Sequence, residues 1–257
     1  MLPISYFDRF RDEIIRLPLK SGDEKYDKAE LICPRFFLFN EANLEVYYAP
    51  FHHSNPHARV ALVGLTPGWT QMEGAFRAAR KGLAGGLEGK SLFAQISRSG
   101  SFSGPMRKNL VGMLDGINLN SHLGIPSCST LFDTGHHLVH LTSVVSTPIF
   151  KSGENYRGSG PRLLEVQKLR AWVTENLAAE LAAIPQALIV PLGRVADNAI
   201  QFLESRMVDL KSRCLTGFPH PSGSNGHRHK DFRRGQEQWS GQVAAWFNRT
   251  QPGLVRA

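Results

Sequence analysis

The sequence predicts an α/β fold of three α/β/α layers, in which a mostly parallel central sheet carries helices on both faces. Three observations lead there. Four short, almost continuously apolar runs, "RVALVGL", "LVHLTSVVS", "ALIVPLG" and "RCLTGF", read as strands buried on both faces. Stretches with helical starts and stops separate them. Strands that alternate with helices in this way imply right-handed crossovers, which leave the neighbouring strands parallel.

Each element has its own reason. Residues 5 to 17 read as an amphipathic helix, because Tyr6, Phe7, Phe10, Ile14 and Leu17 recur at helical spacing. "FFLFNEANLEVYYAP" follows as a pair of extended segments capping an edge. The pattern changes at residue 58, where "RVALVGL" leads into a Gly- and Pro-bearing exit. "GLAGGLEG" comes after a helical stretch, lacks the G-x-G-x-x-G spacing of a nucleotide loop, and is read as a flexible connection. "GPMRKNLVGMLDGI" places Pro just inside a helix start. "RLLEVQKLRAWVTENLAAELAAI" is a long helix stopping before Pro185, and "RVADNAIQFLESRM" is the helix after the third strand. There is no internal repeat, low-complexity tract or linker, so residues 1–257 are expected to form one domain, with 1–57 as an N-terminal extension and 58–247 as the α/β core.

At 257 residues and 42% hydrophobic, the chain can bury one sizeable core. No apolar run has the length of a membrane span, and the start "MLPISYFDRFRDEIIRL" is too charged for a signal peptide. A soluble, cytoplasmic protein with no membrane partner is expected, with a monomer favoured. Cys33, Cys128 and Cys214 lie far apart with no C-x-x-C pair, which argues against a disulfide framework, a zinc ribbon or an iron–sulfur cluster. The net charge of +8 is unevenly spread: residues 201–257 hold nine Lys or Arg against four Asp or Glu, whereas residues 1–60 hold eight against nine. Such a basic C-terminal quarter favours a polyanion such as nucleic acid.

In open sheets of this kind, ligands bind outside the carboxyl ends of the strands. The segments to inspect are therefore "GLTPGWTQ", "SVVSTPIFKSGENYRG", "GRVA" and "PHPSGSNGHRH". No P-loop lysine motif occurs, and no G-x-S-x-G elbow supports Ser222 beside His220 as a hydrolase pair. His52, His53 and His57, and His136 and His140, invite a metal reading, but no carboxylate lies at a fixed spacing from them and no metal or other cofactor is expected.

Taken together, five ordered segments resemble the uracil-DNA glycosylase superfamily over most of residues 58–247. Gly64, Leu65, Thr66, Pro67 and Gly68 look like its first motif, a Gly-x-x-Pro-Gly loop after the first core strand. "FSGPMRKNLVGMLDGINL" is similar to its aromatic-then-helix segment, "VHLTSVVSTP" to its base-reading strand, and "LIVPLGRVA" to its penultimate strand and Leu-Gly turn. His220, Pro221 and Ser222 match its second motif.

The resemblance implies a glycosylase-like fold and hydrolysis of the bond between base and deoxyribose, with uracil as the default base. That reaction builds negative charge on the departing base, so a hydrogen-bond donor aimed at a base oxygen is needed. The resemblance gives this role to His220, with Pro221 fixing the loop and Ser222 holding a phosphate. A flipped base also needs an aromatic platform, and Phe102 stands where the family has one, with Phe93 and Trp69 as rivals. Ser224, Asn225, His227, Arg228 and Lys230, with Arg233 and Arg234, are candidates to enter single- or double-stranded DNA or grip its backbone.

Two positions depart from the family. Many members carry Asp or Asn in the first motif to position the attacking water, where this chain has Thr66; a threonine orients water but is no base, a difference of about 10²-fold or more in rate. Ser143 stands where uracil readers present an asparagine amide, which puts hypoxanthine, xanthine or another base beside uracil as substrates. Gln71 and Glu73 are weighed as substitutes for the missing acid, with a surface position the expected alternative for each. Against a glycosylase stand a catalytically degenerate member of the fold that binds nucleic acid or a protein, and a small-nucleotide hydrolase.

Overall fold

The computed structural model describes residues 4–51, 55–207, 209–223 and 225–250. In chain order its strands are β1 (Phe37–Glu41), β2 (Leu44–Tyr47), β3 (Val60–Gly64), β4 (Val139–Ser143), β5 (Ile149–Lys151), β6 (Glu154–Asn155) and β7 (Leu188–Pro191). Its α-helices are α1 (Ile4–Ile15), α2 (Lys28–Leu31), α3 (Trp69–Ala84), α4 (Gly89–Gly100), α5 (Pro105–Gly116), α6 (Leu119–Leu123), α7 (Gln167–Trp172), α8 (Ala178–Ala182), α9 (Arg194–Glu204) and α10 (Arg228–Thr250). The chain is mixed α/β and divides into two compact units, one of Met1–Ser54, Leu65–Ser103 and Ser143–Glu180, the other of Asn55–Gly64, Gly104–Thr142 and Leu181–Ala257.

In the first unit, the apolar stripe of α1 does what its spacing predicts. Phe7, Phe10 and Ile14 are buried in an aromatic core where Phe10 stacks on Tyr48 with centroids 4.1 Å apart and Phe7 meets Phe93 edge-on at 5.0 Å. The predicted pair of extended segments is the antiparallel hairpin β1–β2. Its turn residues Ala42 and Asn43 both have positive φ (52° and 63°), the conformation that matches strand twist in a two-residue turn. This hairpin belongs to its own four-stranded sheet, ordered β1-β2-β5-β6, with β2 pairing β5 antiparallel and β5 pairing β6 antiparallel.

The second unit holds the parallel sheet, ordered β4-β3-β7. β3 and β7 are buried along their whole length and run in parallel register from Val60 opposite Leu188 to Val63 opposite Pro191. Pro105 opens α5 in the first turn, as its position in the sequence predicts, because a residue there needs no amide proton.

Three expectations need correction. "RCLTGF" is not a full strand: it contributes one parallel bridge from Cys214 to Ile189, and beyond it Gly217 (φ +79°) and Pro219 end the pairing, since a left-handed residue bends the strand and a proline has no donor. The helix expected across 162–184 is a 3-10 turn (Leu163–Glu165), α7, a π turn (Val173–Leu177) and α8. The segment "PHPSGSNGHRH", expected as a strand exit, is not loop throughout, because Arg228 and His229 already open α10.

Candidate functional site

The carboxyl ends of β3 and β7 lie side by side in the second unit, where Leu192 donates its amide to the Val63 carbonyl at 2.9 Å. Gly193 then turns the chain into α9 with φ +89° and ψ 166°, a region open essentially to glycine alone. Its amide donates to the Phe218 carbonyl at 2.9 Å, so the segment leading to His220 runs along this turn. A Cβ on Gly193 would stand 2.8 Å from the His220 Cβ. Glycine is what lets the histidine come so close.

His220 is oriented by its own loop. The Ser222 amide donates to Nδ1 at 3.2 Å, so the neutral ring carries its proton on Nε2. Burial lowers the imidazole pKa from 6.5, which favours the neutral form. The side chain is thus a neutral Nε2–H donor at the carboxyl edge of the sheet.

The loop is braced from several directions. Asn109 on α5 donates to the Pro221 carbonyl at 2.9 Å. Asn225 donates from Nδ2 to the His220 carbonyl at 3.2 Å and accepts the His227 amide on Oδ1 at 3.3 Å. Arg228 turns back on the same loop, its Nη1 reaching the carbonyls of Gly223 (3.4 Å) and Asn225 (3.3 Å). Behind it, Phe218 packs on Trp239 at 5.1 Å, and the indole donates to the Thr216 carbonyl at 3.0 Å. Asp197 on α9 is buried, with its carboxyl pKa raised by that burial and partly offset by the Gly217 amide. Of the residues expected to meet DNA, Asn225 through Nδ2 and Arg228 through Nη1 thus hold carbonyls of their own loop. His227, Lys230, Arg233 and Arg234 are exposed, and Ser224 lies outside the described residues.

The first-motif loop belongs, after Gly64, to the first unit. There the Leu65 carbonyl accepts the Val145 amide at 3.1 Å, and the Thr66 hydroxyl donates to the Thr147 carbonyl at 2.5 Å. The hydroxyl proton of Thr66 is committed, and only its lone pairs remain for a water. Pro67 is buried; the Gly68 amide donates to the Gln71 side-chain oxygen at 2.7 Å, so Gln71 caps α3. Glu73 is not on the surface as expected: it is buried, pairs with Arg77 at 2.9 Å and accepts the Tyr26 amide at 3.4 Å. Phe102 is buried and held at φ +51°, uncommon for so bulky a residue, whereas its rival Phe93 is locked against Phe7 and Trp69 is half-buried against the aromatic core. Ser143, half-buried, closes β4.

Sequence reasoning missed Asn155, whose Oδ1 accepts the Trp69 amide at 2.8 Å and fixes the start of α3 beside Gly68. Eighty-six residues separate the partners, and no local pattern signals the bond.

Among the described residues, no group of three or more His, Cys, Asp or Glu is placed to hold a metal ion. His136 and His140 are buried, and His52 and His53 lie outside the described residues. No helix among the described residues is long and apolar enough to cross a membrane. The chain is 35% identical over 221 residues to the "Uncharacterized protein YoxB" of Bacillus subtilis (strain 168), an alignment covering 85% of this chain and 86% of that protein. No protein-family model matches the chain. No solved structure matches it either.

Proposed function

The chain belongs to the family of YoxB from Bacillus subtilis, and we propose that it is a DNA glycosylase-like hydrolase with a three-layer glycosylase-like fold, releasing uracil or another damaged base from DNA. One observation carries the reading: His220, on a braced loop against Gly193, accepts the Ser222 amide on Nδ1, so that Nε2 carries the proton of the neutral ring that burial favours. A neutral donor of this kind can stabilise a base oxygen as negative charge develops there while the bond to the sugar breaks. It need not give up its proton. The base leaves with the bonding electron pair, water adds to the sugar carbon, and the proton that the water loses passes through solvent to the released base anion, while the exposed His227, Lys230, Arg233 and Arg234 supply phosphate contacts. Phe102 as stacking aromatic and Ser143 as base reader enter through the resemblance described above.

The committed hydroxyl of Thr66 favours a second reading, a catalytically silent nucleic-acid-binding member of the fold. Single- and double-stranded oligonucleotides bearing uracil, hypoxanthine, xanthine or an undamaged base, incubated with the protein and then treated with alkali, separate the two. Strand cleavage at one modified base, abolished in His220→Ala, supports the glycosylase. Salt-sensitive DNA retention without cleavage of any substrate supports the binding protein and refutes the enzyme.

A further inference from the structure

We propose that Asn225 is a positioning residue for His220, holding the imidazole in its Nε2–H form, and is not itself a contact to DNA. The inference rests on the glycosylase reading above and concerns how that site is kept in register. Five hydrogen bonds meet at this residue. Its amide donates to the Ser222 carbonyl at 3.1 Å, its Nδ2 to the His220 carbonyl at 3.2 Å, its Oδ1 accepts the His227 amide at 3.3 Å, and its carbonyl accepts both the Arg228 amide at 3.2 Å and Arg228 Nη1 at 3.3 Å. The side chain thus ties the backbone of His220 to the start of the helix that follows the loop.

The consequence for the imidazole is direct. Its Nδ1 is held as an acceptor by the Ser222 amide, and that contact exists only while the backbone from His220 to Ser222 keeps its tight turn. Asn225 pins both ends of that turn, through the His220 carbonyl at one end and the Ser222 carbonyl at the other. Asn109 fixes the middle through the Pro221 carbonyl. Were the turn to relax, Nδ1 would lose its donor and the proton would distribute between both ring nitrogens. Asparagine suits the position because one planar group supplies a donor and an acceptor at once, which an ionised aspartate, an acceptor only, cannot do. One donor and one lone pair of that amide are thus directed inward, which fixes the side chain against its own loop.

Asn225→Asp isolates the role. It preserves an acceptor for the His227 amide, and with it the local turn, but replaces the donor to the His220 carbonyl with a carboxylate oxygen. Imidazole nitrogen NMR of the full chain is expected to show a single Nε2–H form for wild-type His220 and a mixture of both forms in the variant, with the imidazole pKa moved up by the added negative charge. Cleavage by the variant should fall about 10- to 100-fold in kcat with KM within about twofold, as expected for a misplaced catalytic group. Asn225→Ala, followed by urea unfolding, separates loss of fold from loss of positioning. The proposal is overturned if the Asp variant keeps the wild-type imidazole spectrum. It is equally overturned if the loss lies in KM and in the salt dependence of DNA retention, which would make Asn225 a DNA contact. If the wild-type protein cleaves no substrate, the glycosylase reading fails, and the NMR comparison alone still decides whether Asn225 positions His220.

Discussion

Gly193→Ala puts the packing between the β7 exit and His220 to the test. Two costs add in this variant. An alanine at φ +89°, ψ 166° occupies a region essentially reserved for glycine, at about 1–3 kcal/mol. The new methyl would also stand 2.8 Å from the His220 Cβ, 3.3 Å from Cδ2 and 3.4 Å from Cα. Carbon atoms rest at about 3.5–4.0 Å, so the two segments must part by roughly 0.7–1.2 Å. That overpacking adds about 1–3 kcal/mol, and a total of about 2–6 kcal/mol is expected. The Gly193 amide and the Phe218 carbonyl tie the same two segments together, so the strain cannot be relieved by a side-chain rotation. Urea unfolding measures the stability, and alkali-revealed strand cleavage measures the displacement of His220. The double variant Gly193→Ala, His220→Gly removes the steric part and keeps the backbone part, so the two substitutions should couple by about 1–2 kcal/mol. Wild-type stability and wild-type cleavage in Gly193→Ala would refute the packing described here.

Three further outcomes follow from the same geometry. Thr66→Val removes the donor to the Thr147 carbonyl and should cost about 1–2 kcal/mol in urea unfolding while slowing cleavage less than about tenfold; a loss above about 100-fold at unchanged stability would mean that the hydroxyl acts on the water. Arg213→Met strips donors from the carbonyls of Leu181, Ile184 and Ala187 and leaves a buried site unpaired, for about 3–5 kcal/mol by denaturant titration, whereas a change under about 1 kcal/mol would contradict its role as a clamp. The folded pKa of His220 lies below 6.5, so the unfolded chain takes up the proton first as pH falls. Stability should be full above pH 6.5 and decline from there toward the folded pKa, the acid limb of the cleavage profile should lie below pH 6.5, and both trends should flatten in His220→Gln.

The strands of the parallel sheet were legible because burial on both faces writes a continuous apolar run, as in "VALVG" and "LIVP". Helices α1, α5 and α9 were legible through spacing and starts, such as Phe7, Phe10 and Ile14 or the Pro105 opening. Of the antiparallel sheet only the β1–β2 hairpin was legible; its pairing with β5 was not, because these strands are short and lie about a hundred residues apart in the chain, and nothing local tells Val46 that it faces Ile149. At the site, the motifs identified His220 and the first-motif loop, yet their hydrogen-bond partners stayed hidden. Polar residues such as Asn109, Thr147 and Asn155 carry no periodicity, and their role appears only when the chain folds them against carbonyls and amides far away in sequence. The same blindness hid the bonds by which Asn225 and Arg228, singled out in the sequence as candidates for DNA contact, also brace their own loop.

The claim at the centre is that His220 donates a hydrogen bond to a departing base. Single-turnover cleavage by wild-type protein and His220→Ala, on the oligonucleotide whose base the wild-type releases, tests it most directly. Removing one such donor is expected to lower the rate by about 10²–10³-fold while DNA retention stays within about twofold. Equal rates in the two proteins, or a loss explained wholly by weaker DNA retention, would contradict the account.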